Sequence, residues 1–287
     1  MSTSRTIAVN GIETIVGGSG YDAVTVTGGS WLIPQVSGVE SLTSDGTGSG
    51  SVSITGYAPS LTVQGFTSLS GDSMYQEVHL AGASAAVITI NGIDALYGTA
   101  GSDTITVADG IARVIGGAGA DTITLPGSGA GMFTHQSVIF AAATDGSAAG
   151  VNSGYDIIHN FETGYDSIGI HSGPLLSEID KGAPGVGVTG RAGGTVDASS
   201  DEIVILTTTV SGSLTDSGYQ NFRTALGSLT NDRAVSLVIA ADNGTDTGIY
   251  LVKSDGTGGV DAGEVSLLGL VSGRTGLGFD NFSVYAP

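Results

Sequence analysis

The 287-residue chain has no cysteine, which excludes disulfides and thiolate metal sites. Proline is scarce at 6 residues, and aromatic residues make up only 6%. Basic residues are scarcer still. Eight Lys+Arg stand against 27 Asp+Glu, for a net charge of −19, and none lies between Arg5 and Arg113. A surface so acidic repels nucleic acid and anionic membranes. No apolar run is long enough to cross a bilayer, so membrane insertion is not expected. The start, MSTSRTIAVNGIETIV, lacks the apolar core of a cleavable signal peptide, so export by a signal elsewhere is the alternative to a cytoplasmic protein. Glutamate is also rare, with seven against twenty aspartates. Aspartate belongs in turns and metal loops, whereas glutamate favours helices.

Glycine is abundant, at 49 residues, beside an apolar content of 40%. Glycine mixed with Val, Ile, Thr and Ser predicts many short strands joined by tight turns. Two apolar columns recur at a constant step of 27 residues: Ile12, Val39, Phe66, Ile93 and Ile15, Leu42, Leu69, Leu96. A shorter copy begins near Ile111, where Asp121 follows Asp103 by 18 positions. Each unit holds three short runs of alternating polarity, which predicts half-buried strands. Three strands per unit, stacked by a constant shift, would make one coil of a parallel β-solenoid over residues 1–130. An antiparallel sandwich is the alternative.

One turn of the repeat reads Gly17-Gly18-Ser19-Gly20-Tyr21-Asp22, another Gly116-Gly117-Ala118-Gly119-Ala120-Asp121, and a third Gly98-Thr99-Ala100-Gly101-Ser102-Asp103. Glycine permits positive φ and leaves carbonyls pointing inward. Calcium takes six to eight hard oxygens, which carbonyls and aspartates supply. These turns resemble the glycine- and aspartate-rich nonapeptide of RTX proteins, G-G-x-G-x-D-x-U-x. The resemblance implies a β-roll in which Ca²⁺ bridges neighbouring turns. It points to Gly17, Ser19 and Asp22, to Gly98, Ala100 and Asp103, and to Gly116, Ala118 and Asp121 as ligands. Asp103 and Asp121 are the best-matched pair. Ser49 and Gln76 stand where further aspartates are expected, with Asp45 and Asp72 close enough to serve those turns. The alternative role for each aspartate is to cap backbone N–H groups in its turn.

The composition shifts after Pro126, and residues 131–287 are expected to form a mostly β cap and tail domain. Residues 154–168 are similar to the element that closes many RTX rolls, with Asp156 and Asp166 as candidate ligands. Residues 174–200 read as a long loop, and 218–230 as one helix. VSLVIAAD and TGIYLVKSD read as paired strands. An acidic loop follows, carrying Asp255 and Asp261 as further candidate ligands. This half looks like the tail of type I-secreted RTX proteins, whose export signal is carboxy-terminal.

The four histidines are scattered, and no nucleophile elbow, phosphate loop or zinc-protease motif occurs. The chain is therefore not expected to be an enzyme. The reading that results is all-β, a parallel β-solenoid followed by a β-rich cap. The expected function is a calcium-binding structural protein, secreted to the surface of a Gram-negative cell. It would self-associate into a surface layer, filament or matrix. A calcium-dependent adhesin or carbohydrate-binding module is the alternative, with a cell-surface polysaccharide as partner.

Overall fold

In a computed structural model, the described residues are 5–9, 14–27, 31–44, 50–82, 84–110, 112–127, 135–182 and 186–285. Ile12, Asp45, Ser49 and Ile111 of the repeat lie outside them. The described chain is all-β with a few short helices. Its strands form two sheets, one of ten strands (sheet A) and one of thirteen (sheet B). No helix among the described residues is long and apolar enough to cross a membrane.

From Arg5 to His171 successive strands fall alternately in sheet A and sheet B. Each pairs in parallel with the strand two places away in sequence. Thus Ala95 of sheet A faces Arg113 and Thr104 of sheet B faces Thr122. One winding therefore holds two strands and two turns. Its length is near 18 residues, the separation of Asp103 from Asp121 and of Gln76 from Asp94.

This corrects the three-strand coil expected from the 27-residue step. Twenty-seven residues are a winding and a half, so successive copies land on opposite sheets. Leu42 and Leu96 lie in sheet A strands, while Ile15 and Leu69 lie in sheet B strands. The columns still mark the core, because both sheets turn alternate residues inward. Val39, Phe66, Ile93, Leu42, Leu69 and Leu96 are all buried in one apolar cluster. Burying each such side chain contributes about 1.5–3 kcal/mol.

The segment expected to close the roll does not lie at its end. Asp156–His159 pairs on one side with Thr122–Thr124 and on the other with Val265–Val271. Ser167–His171 likewise lies between Ser137–Phe140 and Phe282–Tyr285. It is one more winding, made by the same alternation of buried Ile158, Ile168 and Ile170 with outward residues. Strands from far along the chain cover it.

After His171 the winding stops. Sheet B gains Val188–Arg191, Ile203–Leu206, Ala234–Asp242, Thr247–Asp255 and Val265–Val271, and sheet A gains Phe282–Tyr285. Ala234–Asp242 and Thr247–Asp255 form the expected antiparallel pair.

Residues 174–200 are not simply a loop. Pro174 opens a helix to Ile179, with Leu175 and Ile179 buried on one face, and Val188–Arg191 pairs with Ile203–Leu206. The expected helix at 218–230 is shorter, Gln220–Leu226. Gly227, at φ 68°, ends it. Alternation along Ala234–Asp242 divides two cores. Val238 and Ala240 join the large cluster, while Leu237, Ile239 and Ala241 join a second one with Tyr219, Phe222 and Tyr250.

Candidate functional site

The chain must turn before each strand, and the residue at that leading edge recurs with the winding. At the leading edge of sheet B stand Asp103, Asp121 and Asp156, all about 1% exposed. They are stacked by a repeated bond. Asp103 N–H donates to Asp121 Oδ1 at 2.7 Å, and Asp121 N–H donates to Asp156 Oδ1 at 2.9 Å. Below them Ala86 N–H donates to Asp103 Oδ1 at 2.6 Å. Each carboxylate thus takes up the N–H that begins the neighbouring strand, a group with no ladder partner of its own.

The second oxygen folds back over its own turn. Asp103 Oδ2 accepts the Thr99 N–H at 2.6 Å, and Thr99 Oγ1 donates to Asp103 Oδ1 at 2.9 Å. Glycine makes room for this. A Cβ on Gly98 would overlap the Gly116 carbonyl oxygen, and one on Gly116 would overlap Asp121 Oδ2. Ala100 is exposed and Ala118 half-buried in the same turns. At Asp121 the pattern breaks. Its Oδ2 is buried with no hydrogen-bond partner.

A row of buried acids is electrostatically costly. Burial pushes the Asp121 carboxyl up to about 7, and the neighbouring Asp103 and Asp145 carboxylates add to the rise. Burial first, and then the charge of Asp121, drives Asp156 well above the usual carboxylate range. Asp145, which motif reading missed, is also raised by burial while its Oδ2 accepts the Ala141 and Ala142 N–H groups. It lies in no glycine-rich repeat, so no spacing signals it.

The other motif residues are dispersed. The leading edge of sheet A carries its own row, with Asp22, Gln76 and Gln136 donating their N–H groups to Glu40, Asp94 and Asp166. Glu40, Asp94 and Gln136 were not singled out by motif, although the 18-residue spacing from Asp22 and Gln76 marks the first two. Gly17 packs against Gly38, Ser19 is exposed, and Asp22 Oδ2 caps Gly18 N–H. Where an aspartate is replaced by Gln76, Asp72 accepts from Gly56 N–H, Met74 N–H and Gln76 Nε2. Asp166 accepts from Gln136 N–H and, through Oδ2, from Glu162 N–H; burial raises it. The acidic loop makes no hydrogen bond to either row among the described residues. There Asp255 Oδ1 holds Thr257 N–H and Oγ1, and Asp261 N–H donates to Glu264.

No group of three or more His, Cys, Asp or Glu side chains gathers as a metal cluster among the described residues. Most of these carboxylates act as backbone caps. Two buried side-chain oxygens among the described residues have no hydrogen-bond partner, Asp121 Oδ2 in the sheet B row and Gln76 Oε1 in the sheet A row. Of the two, the carboxylate oxygen of Asp121 is the stronger donor type for a hard cation. A scan against protein-family models returned no match, and neither did a search of curated proteins.

Proposed function

We propose that the chain is a calcium-binding extracellular structural protein, a parallel β-solenoid of the RTX type with a β-rich tail. It leaves a Gram-negative cell through type I secretion machinery and self-assembles into a surface layer, filament or matrix. The observation that supports this reading is the Asp103–Asp121–Asp156 row, where carboxylates stack winding on winding and Asp121 Oδ2 is buried without a partner. Protons or a divalent cation among its oxygens would relieve the repulsion along such a row. Asp103 and Asp121, with the carbonyls of Gly98, Ala100, Gly116 and Ala118, would hold the ion. Bound calcium supplies positive charge to the row, and the residues themselves cap the turns and fix the register of the coils.

Assembly is supported by the unpaired sides of the end strands. Among the described residues sheet A ends in Arg5–Val9 and Phe282–Tyr285, and sheet B in Thr14–Val16 and Val188–Arg191. Unlike ends joined head to tail propagate into filaments or sheets.

Thermal unfolding followed by circular dichroism, in EGTA and then in millimolar Ca²⁺, tests the calcium reading. Binding to the folded form raises the transition temperature by mass action. Asp121→Asn and Asp103→Asn should remove that rise, and Asp255→Asn should leave it. Identical transitions in EGTA and Ca²⁺ would sink the calcium reading. Light scattering and electron microscopy during the same titration test assembly, which predicts ordered polymers rather than monomers. A second reading, a carbohydrate-binding module, is supported by an aromatic cluster around Arg113.

A further inference from the structure

The outer face of sheet A carries side chains that neither the core nor the coil edges require. Ala95, Ile115 and Ile139 are buried. Yet Leu96, Val114 and Val138, their chain neighbours, are the ones in the cluster between the sheets, so these three face outward. In a chain with few aromatics, rings gather on this face. His79 stacks on Tyr97 with centroids 4.3 Å apart and planes within 8°. Tyr75 lies 6.1 Å from Tyr57, and Tyr285 lies 5.8 Å from His171.

Arg113 sits between two of these rings, its guanidinium carbon 4.9 Å from the Tyr285 centroid and 5.5 Å from that of Tyr75. Nη2 donates to the Tyr75 hydroxyl at 3.2 Å and Nε to the Asp94 carbonyl at 3.4 Å. Like Lys181, Arg223, Arg233 and Arg274, it has no carboxylate partner among the described residues, but it alone lies between two aromatic rings. The arginine and lysine ion pairs among those residues are Arg191–Asp201 and Lys253–Glu178. The acid in the cluster is already occupied. Glu77 Oε2 accepts from the Tyr75 hydroxyl at 2.9 Å, and Oε1 lies 2.8 Å from His79 Nε2. Glu77 therefore fixes the rings and reaches the guanidinium only through the Tyr75 hydroxyl, leaving it without a direct ion pair.

We propose that this face binds a carboxylated sugar of an acidic polysaccharide, Arg113 receiving the carboxylate and the surrounding rings receiving the apolar face of the pyranose. The planar fork of a guanidinium matches a carboxylate in two parallel hydrogen bonds. Aromatic rings offer broad apolar contact with polar rims. Tyr57 is 64% exposed and the His79 side chain 37% exposed, so both are open to a ligand. Charge selects the ligand, because a polyanion is repelled by the rest of the molecule and attracted only at an unpaired cation. The proposal deepens the binding-module reading and depends on neither calcium nor assembly.

The test is calorimetric titration of the full chain with oligogalacturonate, beside a neutral cello-oligosaccharide of equal length, in EGTA and again in Ca²⁺. Saturable binding of the acidic oligomer is expected, with the neutral one bound more weakly. Arg113→Gln should weaken the acidic oligomer by about tenfold or more, the loss of charge-assisted hydrogen bonds. Tyr57→Ser, at a ring 64% exposed and outside the core, should weaken both oligomers. That keeps the test decisive if Arg113→Gln fails to fold. The proposal is overturned if the wild type ignores oligogalacturonate, or if neither variant changes its affinity. It is also overturned if the neutral oligomer binds equally well. Concentration-dependent dimerisation lost in Arg113→Gln would overturn it too, since the arginine's acid would then come from a second copy.

Discussion

The windings up to His171 and the sheet extension beyond it solve one problem in two ways. Both must satisfy backbone groups where strands begin. The windings do so with aspartates and glycines at the coil edges, stacking Asp103, Asp121 and Asp156 in a row of like charge. The extension also caps N–H groups with acids, but it sets a cation beside a buried acid and packs large aromatics in its core. Arg191 pairs with the buried Asp201 at 2.8 Å, and Glu202 accepts the N–H groups of Lys181 and Gly187. Phe222 and Tyr250 stack at 3.8 Å within 9°. Of the eight basic residues, only Arg5 and Arg113 precede Lys181. Repetition explains the difference. A winding that repeats one residue type at one edge inevitably stacks like charges, whereas a non-repeating sheet can place opposite charges side by side.

The comparison breaks most readily at the extension's core. Phe222→Ala should cost about 3–5 kcal/mol, from lost burial and a cavity beside Tyr250, measured by urea unfolding. Hydrogen exchange should quicken mainly within 203–271. Uniform quickening through the windings would show one cooperative unit.

Glycine separates the regions next. Gly98→Ala forces a Cβ into the Gly116 carbonyl, and about 1–3 kcal/mol should be lost through overpacking. Gly263→Ala, with nothing within 4 Å of the added carbon, should change the urea midpoint little. Equal losses would mean that the coil edge can relax.

Acidity should act with opposite signs. In the windings, burial holds Asp121 near 7 against 3.8 unfolded. The folded state there binds more protons, so stability falls as pH rises from about 4 to about 7. The slope is at most about 1.4 kcal/mol per pH unit for one proton. In the extension, burial would raise Asp201, but Arg191, the Asp197 N–H and Thr189 outweigh it and hold the carboxyl low. Its contribution is present above the unfolded value and is lost as pH falls below 3.8 through the folded pKa. Urea midpoints between pH 5 and 8 in EGTA should therefore decline, and Asp121→Asn should flatten the decline. A wild-type profile that rises would refute the assignment. The smallest effect belongs to Lys253→Gln, whose exposed pair with Glu178 should contribute under about 1 kcal/mol to the urea midpoint.

Much of this was legible in the chain. The apolar columns through Leu42, Leu69 and Leu96 fixed which residues face the core, because alternation within a strand is a local property. The glycine turns located the coil edges, and the 18-residue step from Asp103 to Asp121 already equals the winding. Which copies share a sheet was not legible. A period of 27 fits a three-strand coil as well as one and a half two-strand coils, and only hydrogen-bond pairing chooses between them. The use of each carboxylate was likewise undecided, since the same aspartate can cap N–H groups or ligate a cation. Tertiary structure also brought Phe282–Tyr285 against Ser167–His171 and Tyr285 against Arg113, contacts between residues more than a hundred positions apart. Periodicity describes neighbours along the chain and one winding away; it carries no information about a strand that returns after the repeats have ended.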